Sequence, residues 1–173
     1  DDDGRTPINT AVVIPVLLND IDPDGEDAAL DVTTATSSDG TVEINPDGTI
    51  TFTPATDFTG PATIEYTITD EDGLTDTATV TVMVNDGIVE GSDGDDVIDT
   101  SYTGDPEGDM VDAGDSIFPP VGSEDDIIEA YDGDDEIDAG NGDDIIYAGE
   151  GDDDVDAGDG DDTVYGGDGN DVV

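Results

Sequence analysis

The chain has 173 residues, of which 50 are acidic and one is basic, and its formal net charge is -49. Cys and His are both absent, which excludes disulfides, thiolate chemistry, histidine-based zinc sites and a Ser-His-Asp triad within this sequence. With one basic residue the chain is unsuited to nucleic acid or anionic membrane, and no apolar run is long enough to span a bilayer. Composition alone would favour disorder, but regular patterns run through the whole chain.

The first half of the chain, residues 1–86, is rich in Thr, Val and Ile. Short segments with period-two alternation are separated by turn residues, and Asn45-Pro46-Asp47-Gly48 predicts a hairpin between two of them. About six strands with no helical period predict an all-β sandwich for this domain. The predicted strands are residues 11–18, 30–36, 41–44, 49–53, 62–69 and 78–84.

The loop after the first predicted strand has the pattern D-x-D-x-D-G, with carboxylates at Asp20, Asp22 and Asp24. Carboxylates at alternate positions of a tight loop can converge on one cation, as they do at the start of an EF-hand calcium loop. Asp31 would supply the acid at the twelfth position of such a loop. The pattern therefore predicts calcium here, with a polar surface turn as the alternative.

A second acidic turn contains Asp70 and Asp72, and the same two interpretations apply to it. Most of residues 10–85 resembles the cadherin-like, immunoglobulin-like tandem domains of large bacterial surface and secreted proteins. The segments that carry the resemblance are 16–25, 40–50, 52–54, 57–60 and 66–70. It implies a spacer or adhesive module, commonly with calcium at the loop ends, and it does not imply catalysis.

The second half, residues 87–173, is rich in Gly and Asp and contains eight copies of a nine-residue repeat. The last six copies are contiguous, the sixth position is Asp in all eight, and the eighth position is always aliphatic. The copies begin at Gly91, Gly104, Val121, Ala130, Ala139, Ala148, Ala157 and Gly166. Their sixth-position residues are Asp96, Asp109, Asp126, Asp135, Asp144, Asp153, Asp162 and Asp171.

The repeat resembles the G-G-x-G-x-D-x-U-x nonapeptide of the RTX family, the hemolysin-type calcium-binding proteins. The resemblance implies a parallel β-roll stacked on calcium over residues 87–173. Gly at the second and fourth positions lets backbone carbonyls turn toward a cation, and the sixth-position Asp adds a charged oxygen. Two inward aliphatic side chains per coil cannot offset the entropy of ordering it, so ions shared between stacked turns are required. Oxygen-only ligands favour Ca²⁺ over Zn²⁺, copper and Mg²⁺.

Alternate turns of the contiguous copies should stack on opposite edges of the roll. Asp126, Asp144 and Asp162 would line one edge, and each successive pair on an edge would hold an ion, which makes about four ions in the contiguous run. The other edge would carry Asp135, Asp153 and Asp171. The second copy is irregular, and we expect an insertion at 113–120 to interrupt the roll.

The acidic residues at the other positions of the repeat, Asp143, Asp152, Asp154 and Asp161 among them, are expected to form a solvated face with no ligand role. Tyr147 and Tyr165 share the ninth position, where packing on the strand surface is favoured over a sugar-binding platform. With 50 acids in the chain, close carboxylate pairs are unavoidable and carry no sign of catalysis.

These patterns favour a non-enzymatic, calcium-binding structural or adhesive segment of a secreted or cell-surface bacterial protein. The RTX resemblance implies type I secretion and folding on calcium outside the cell. Expected partners are several calcium ions, with other copies of the chain or a surface ligand as further candidates. The alternatives are an accessory region of a larger secreted enzyme or toxin, and a subunit of an extracellular filament or surface layer. The last copy stops at Val173, before its ninth position, so we expect a longer parent protein.

Overall fold

A computed structural model describes residues 2–21, 30–112 and 124–173. The chain divides into two compact units, Asp1–Asn85 and Asp86–Val173, and the described residues form strands and turns without a helix. The prediction of an all-β fold is therefore confirmed. The strands are β1 (Asp2–Pro7), β2 (Val12–Ile14), β3 (Asp31–Ser37), β4 (Gly40–Ile44), β5 (Ile50–Pro54), β6 (Gly60–Thr69), β7 (Thr75–Asn85), β8 (Val89–Glu90), β9 (Val97–Ile98), β10 (Ile127–Glu129), β11 (Glu136–Asp138), β12 (Ile145–Glu150), β13 (Asp154–Asp156) and β14 (Thr163–Asp168).

The first unit is a β-sandwich of two sheets, ordered β1-β7-β6-β3 and β2-β5-β4. Its core follows the period-two pattern of the sequence, because alternate side chains of a strand point to the same face. In β6 the buried residues include Ala62, Ile64 and Tyr66, and β7 buries three valines in the same way. The predicted hairpin forms between β4 and β5, with Ile44 opposite Ile50.

Two details of the sandwich differ from the prediction. The polar segment Asp2–Pro7 forms strand β1, which pairs in parallel with β7 and which the sequence pattern did not indicate. The predicted strand over 11–18 is limited to Val12–Ile14, because Pro15 has no N–H to donate and the chain turns after it. Val16 is nevertheless fully buried in the core.

The second unit is a parallel β-roll, which confirms the predicted architecture of the repeats. Its two sheets are ordered β14-β12-β10-β8 and β13-β11-β9, so successive strands along the chain alternate between the sheets. Each strand pairs in parallel with the strand one coil later, as Ile128 does with Ile146 and Ile137 with Val155. These eighth-position side chains point inward, and Ile128 and Ile146 are completely buried.

The core of the roll is larger than the eighth positions alone would make it. Ala130, Ala139 and Ala148, at the first position of their copies, are fully buried beside the aliphatic residues. Val89 pairs with Ile128 and is buried in the same way, although it precedes the first recognisable copy. Val111 is also buried without belonging to a strand, and the predicted insertion at 113–120 lies outside the described residues.

Tyr147 and Tyr165 occupy paired positions of β12 and β14 on the outer surface of the roll. Their rings stack with centroids 4.8 Å apart and planes 6° from parallel. This is the packing on the strand surface that the ninth position predicted.

Candidate metal centre

The sixth-position aspartates of the roll lie in two rows joined by hydrogen bonds between consecutive coils. In the first row the backbone N–H of Asp126 donates to Oδ1 of Asp144 at 2.7 Å, and the N–H of Asp144 donates to Oδ1 of Asp162 at 3.0 Å. Each step spans 18 residues. In every pair one carboxylate oxygen is thus used by the backbone of the preceding coil, which fixes the orientation of the carboxylate.

The second row repeats the arrangement on the other edge of the roll. The N–H of Asp135 donates to Oδ1 of Asp153 at 3.0 Å, and that of Asp153 donates to Oδ1 of Asp171 at 3.3 Å. Asp96 joins the start of this row, because its N–H donates to Oδ1 of Asp135 at 2.8 Å across 39 residues. The extra length of that step contains the irregular second copy.

The second oxygen of the central aspartates has no partner. Oδ2 of Asp135, Asp144 and Asp153 is buried and accepts no hydrogen bond, and these side chains are only 2%, 0% and 1% exposed. A buried carboxylate oxygen without a donor is costly, because the charge has lost its hydration and gained nothing in return. Three such oxygens at equivalent points of a repeat are therefore suited to bind a cation.

The pKa values agree with this interpretation. Burial, together with the negative charges of Asp126, Asp162 and Asp112, raises the pKa of Asp144 to about 7 against the opposing hydrogen bond from the Asp126 backbone. Burial also raises the pKa of Asp135, with Asp153 among the contributing charges. A divalent cation beside these groups would remove the penalty on the ionised form.

The glycine turns bring the backbones of successive coils into direct contact. Gly151 has a φ of +149°, and a Cβ placed on it would overlap the carbonyl oxygen of Gly133 in the coil before. Gly142 has a φ of +126°, and its Cβ would overlap the carbonyl of Glu124. Only glycine allows this approach, which places carbonyl oxygens beside the rows of carboxylates.

The groups present therefore fit a hard divalent cation with flexible coordination. All the candidate ligands are oxygen atoms, from carboxylates and backbone carbonyls, and neither His nor Cys is available. Calcium takes six to eight such ligands in variable geometry, whereas magnesium requires a stricter octahedron. The donor set consequently matches calcium best.

A second, exposed ladder runs along the fifth positions, and the sequence analysis missed it. Oδ1 of Asp143 accepts the N–H of Asp161 at 2.9 Å, and Oδ1 of Asp152 accepts the N–H of Asn170 at 2.9 Å. These side chains are exposed, as predicted, but they also connect consecutive coils. The recurrence of Asp at this position was the available signal.

The irregular second copy has a different structure. Asp109 is 1% exposed, and its Oδ2 accepts the N–H of Gly87 at 3.1 Å. Beside it, Oδ1 of Asp105 accepts three backbone N–H groups. Carboxylate oxygens of Glu90, Asp105 and Glu107 lie within 4.8 Å of one another, a cluster that the sequence analysis did not identify.

In the sandwich, the predicted loop sites are only partly described. Oδ2 of Asp20 is buried without a hydrogen-bond partner, and burial together with the charge of Asp2 raises its pKa. Asp22 and Asp24 lie outside the described residues.

The second loop is a tight turn between β6 and β7. There Oδ1 of Asp70 accepts the backbone N–H groups of Asp72 and Leu74 at 3.0 and 2.8 Å, so this oxygen stabilises the turn. The side chain of Asp72 is exposed.

The β-sandwich and the parallel β-roll define a modular all-β protein. The turns of its roll present rows of carboxylates that fit a divalent cation. The model of the bacterial Ig domain matches residues 1–83, and that of the RTX calcium-binding nonapeptide repeat, in four copies, matches 121–155 and 139–173. The chain thus carries a bacterial Ig domain followed by RTX calcium-binding nonapeptide repeats. Both are non-catalytic structural domains, typical of secreted or surface proteins.

Among the described residues, no helix has the length and apolar character needed to cross a membrane.

Other comparisons add little. No curated protein matches the chain. Among solved structures, a 2,6-sialyltransferase from Photobacterium sp. JT-ISH-224 is 12% identical over 56% of this chain and 18% of its own, with a TM-score of 0.33. The chain therefore spans less than a fifth of that enzyme, and a similarity at this level carries no argument.

Proposed function

We propose that this chain is a non-enzymatic structural or adhesive segment of a secreted or surface protein, and that its roll becomes ordered on binding several calcium ions. The observation that carries the proposal is the set of buried, unpartnered Oδ2 atoms at Asp135, Asp144 and Asp153. They recur at equivalent points of the repeat, and no hydrogen-bond donor compensates them.

The carboxylate rows would hold the ions between consecutive turns. In one row the ligands are Asp126, Asp144 and Asp162, and the other row contains Asp96 with Asp135, Asp153 and Asp171. Bound calcium supplies positive charge that links the turns and offsets the repulsion within a chain of net charge -49. Because the ligands come together only in the folded roll, the free energy of binding is also free energy of folding.

The remaining predicted ligands have different support. A cation site at Asp20, with Asp22 and Asp24, is supported by the buried unpartnered oxygen of Asp20. A site at Asp70 and Asp72 would use the oxygens that the turn leaves free, since one oxygen of Asp70 is already occupied. Asp109 is retained as a candidate because it is a buried carboxyl group.

Coupling of folding to calcium suits a protein that leaves the cell unfolded. In a compartment with little free calcium, repulsion among the carboxylates would keep the repeats extended, and a calcium-rich exterior would order them. Export by a type I pathway is part of the proposal. The sandwich would then serve as a spacer or an adhesive module.

Calorimetric titration of the full chain with calcium tests the proposal, with circular dichroism recorded at each step. Several ions should bind while β-structure increases, and a chelator should reverse both changes. Magnesium at the same concentration is the matched control and should have much less effect. A β-signal that is identical in chelator and in calcium would overturn the proposal.

Filament formation is a second candidate, supported by one edge strand of the roll. β14 lies at one end of its sheet, and Tyr165 on it is 52% exposed. Edge strands pair readily with other chains. Sedimentation in calcium separates the two candidates, because a spacer remains monomeric and a filament subunit assembles. An accessory role beside a secreted enzyme or toxin is compatible with either outcome.

A further inference from the structure

Asp112, at the end of the irregular second copy, is held between two coils of the roll. Its backbone N–H donates to Oδ2 of Asp126 at 2.8 Å. Its carboxylate oxygens accept the N–H of Asn141 at 3.2 and 3.3 Å, and Oδ2 also accepts the Asn141 side-chain amide at 3.3 Å. The residue has a φ of 57°, so its backbone is in the left-handed region.

In the later coils, a backbone carbonyl receives the equivalent hydrogen bond. The N–H of Glu150 donates to the carbonyl of Tyr131 at 2.8 Å, and the N–H of Asp159 donates to the carbonyl of Gly140 at 2.8 Å. Glu150, Asp159 and Asn141 all occupy the third position of their copies. The carboxylate of Asp112 therefore takes the place that a turn carbonyl has elsewhere.

The glycines at the second position lie at the same contact. A Cβ placed on Gly149, Gly158 or Gly167 would overlap the carbonyl oxygen of the residue 18 positions earlier. Among the described residues, a Cβ on Gly140 would overlap Oδ2 of Asp112. The residue 18 positions before Gly140 lies outside the described residues.

The Asp112 backbone is linked to the row that contains Asp144. The N–H of Asp112 donates to Oδ2 of Asp126, and the N–H of Asp126 donates to Oδ1 of Asp144. Oδ2 of Asp144 is buried without a partner among the described residues, in a side chain that is 0% exposed. Asp112 and the carboxylate with the unpartnered oxygen are therefore both in contact with Asp126.

We infer that Asp112 is a calcium ligand of the Asp126–Asp144 pair, where its carboxylate replaces a turn carbonyl. The inference rests on the proposed function, because it assumes that calcium binds between the turns. An additional negative ligand raises calcium affinity, so this site should be tighter than the sites in which a carbonyl occupies that place. The irregular copy then completes the start of the row, although it lacks the regular repeat pattern.

The test compares D112N with D138N in the full chain. Asn tolerates the left-handed backbone and keeps one acceptor oxygen, so D112N removes the charge with little change in shape. Asp138 is exposed at the end of β11, so D138N makes the same change in net charge at a position outside the two rows. In calcium calorimetry D112N should weaken one site by about 10- to 100-fold, the range seen when groups around a metal are altered. D138N should match the wild type.

Stability without calcium separates a ligand from a simple hydrogen-bond acceptor. If Asp112 is a ligand, D112N should lower the denaturation midpoint in calcium, but its residual β-signal in chelator should equal or exceed that of the wild type, because one repulsive charge has gone. Equal isotherms for D112N and D138N would overturn the inference, as would a lower β-signal in chelator together with the lower midpoint in calcium. A wild-type chain that binds no calcium would instead defeat the proposed function itself.

Discussion

At the scale of single residues, the sixth-position aspartates combine two tasks that are normally separate. One oxygen of Asp144 accepts a backbone hydrogen bond that connects the coils, and the other is buried with no donor. The first contact positions the carboxylate, and the second leaves its charge uncompensated. A residue arranged in this way destabilises the roll when no cation is bound and stabilises it when one is.

Replacing Asp144 by Asn should therefore have opposite effects in the two conditions. D144N removes a buried charge, so the calcium-free roll should become more stable, while the calcium-bound roll loses a ligand and becomes less stable. The β-signal in chelator, recorded by circular dichroism, measures the first effect, and the denaturation midpoint in saturating calcium measures the second. A loss of β-signal in chelator together with a lower midpoint in calcium would show that the side chain acts only through its hydrogen bond.

The pKa of Asp144 predicts how the calcium-free protein responds to pH. Its pKa of about 7 in the folded roll lies above the ordinary aspartate pKa of 3.8, so between these pH values the folded roll holds a proton that the unfolded chain releases. The stabilisation from this group is complete below the unfolded pKa and is lost as pH rises through about 7. The metal-free chain should thus keep more β-structure at pH 5 than at pH 8, as measured by circular dichroism. D144N is the control and should show a smaller difference.

At the scale of elements, the stacked turns depend on the absence of side chains. Gly151→Ala would place a Cβ on the carbonyl of Gly133 and force a φ of +149° on Ala. We expect a loss of well over about 1 kcal/mol in the free energy of unfolding in calcium, since the steric overlap adds to the strain of the backbone. Chemical denaturation of the calcium-loaded chain gives the value.

Gly94 offers a matched control at the same position of the first copy. A Cβ there would have its nearest neighbour, Oγ of Ser92, at 3.9 Å, so Gly94→Ala should be tolerated. Equal destabilisation by the two substitutions would argue against contact between coils as the reason for the glycines.

The elements also show how far sequence patterns can go. Regular alternation predicted β4 to β7, and the nine-residue period predicted the roll, because a repeated residue pattern imposes a repeated backbone. Strand β1 was not predicted, because its residues are polar and its pairing partner, β7, lies far along the chain. Val89 and Asp112 were missed for a related reason: each takes a place in the repeat without following the repeat pattern.

At the scale of the whole molecule, the two units should respond differently to the loss of calcium. The sandwich has a core that includes Phe52, Tyr66 and several valines, whereas the roll encloses mainly single aliphatic residues and alanines between rows of acids. Chelation should therefore release the roll while the sandwich stays folded. In hydrogen exchange, the amides of β10 to β14 should lose protection and those of β5 to β7 should retain it. Loss of protection throughout both units would contradict the prediction.

Consecutive aspartates in each of the two rows are 18 residues apart, and this spacing restricts how such a protein can change its length. Gain or loss of a complete coil keeps every later aspartate on its own edge, but gain or loss of one nine-residue copy moves all of them to the opposite edge. Evolution should consequently add or delete copies in pairs. The 39-residue step from Asp96 to Asp135 shows a second way to change length. A longer segment can separate two aspartates of one row when both remain on the same edge.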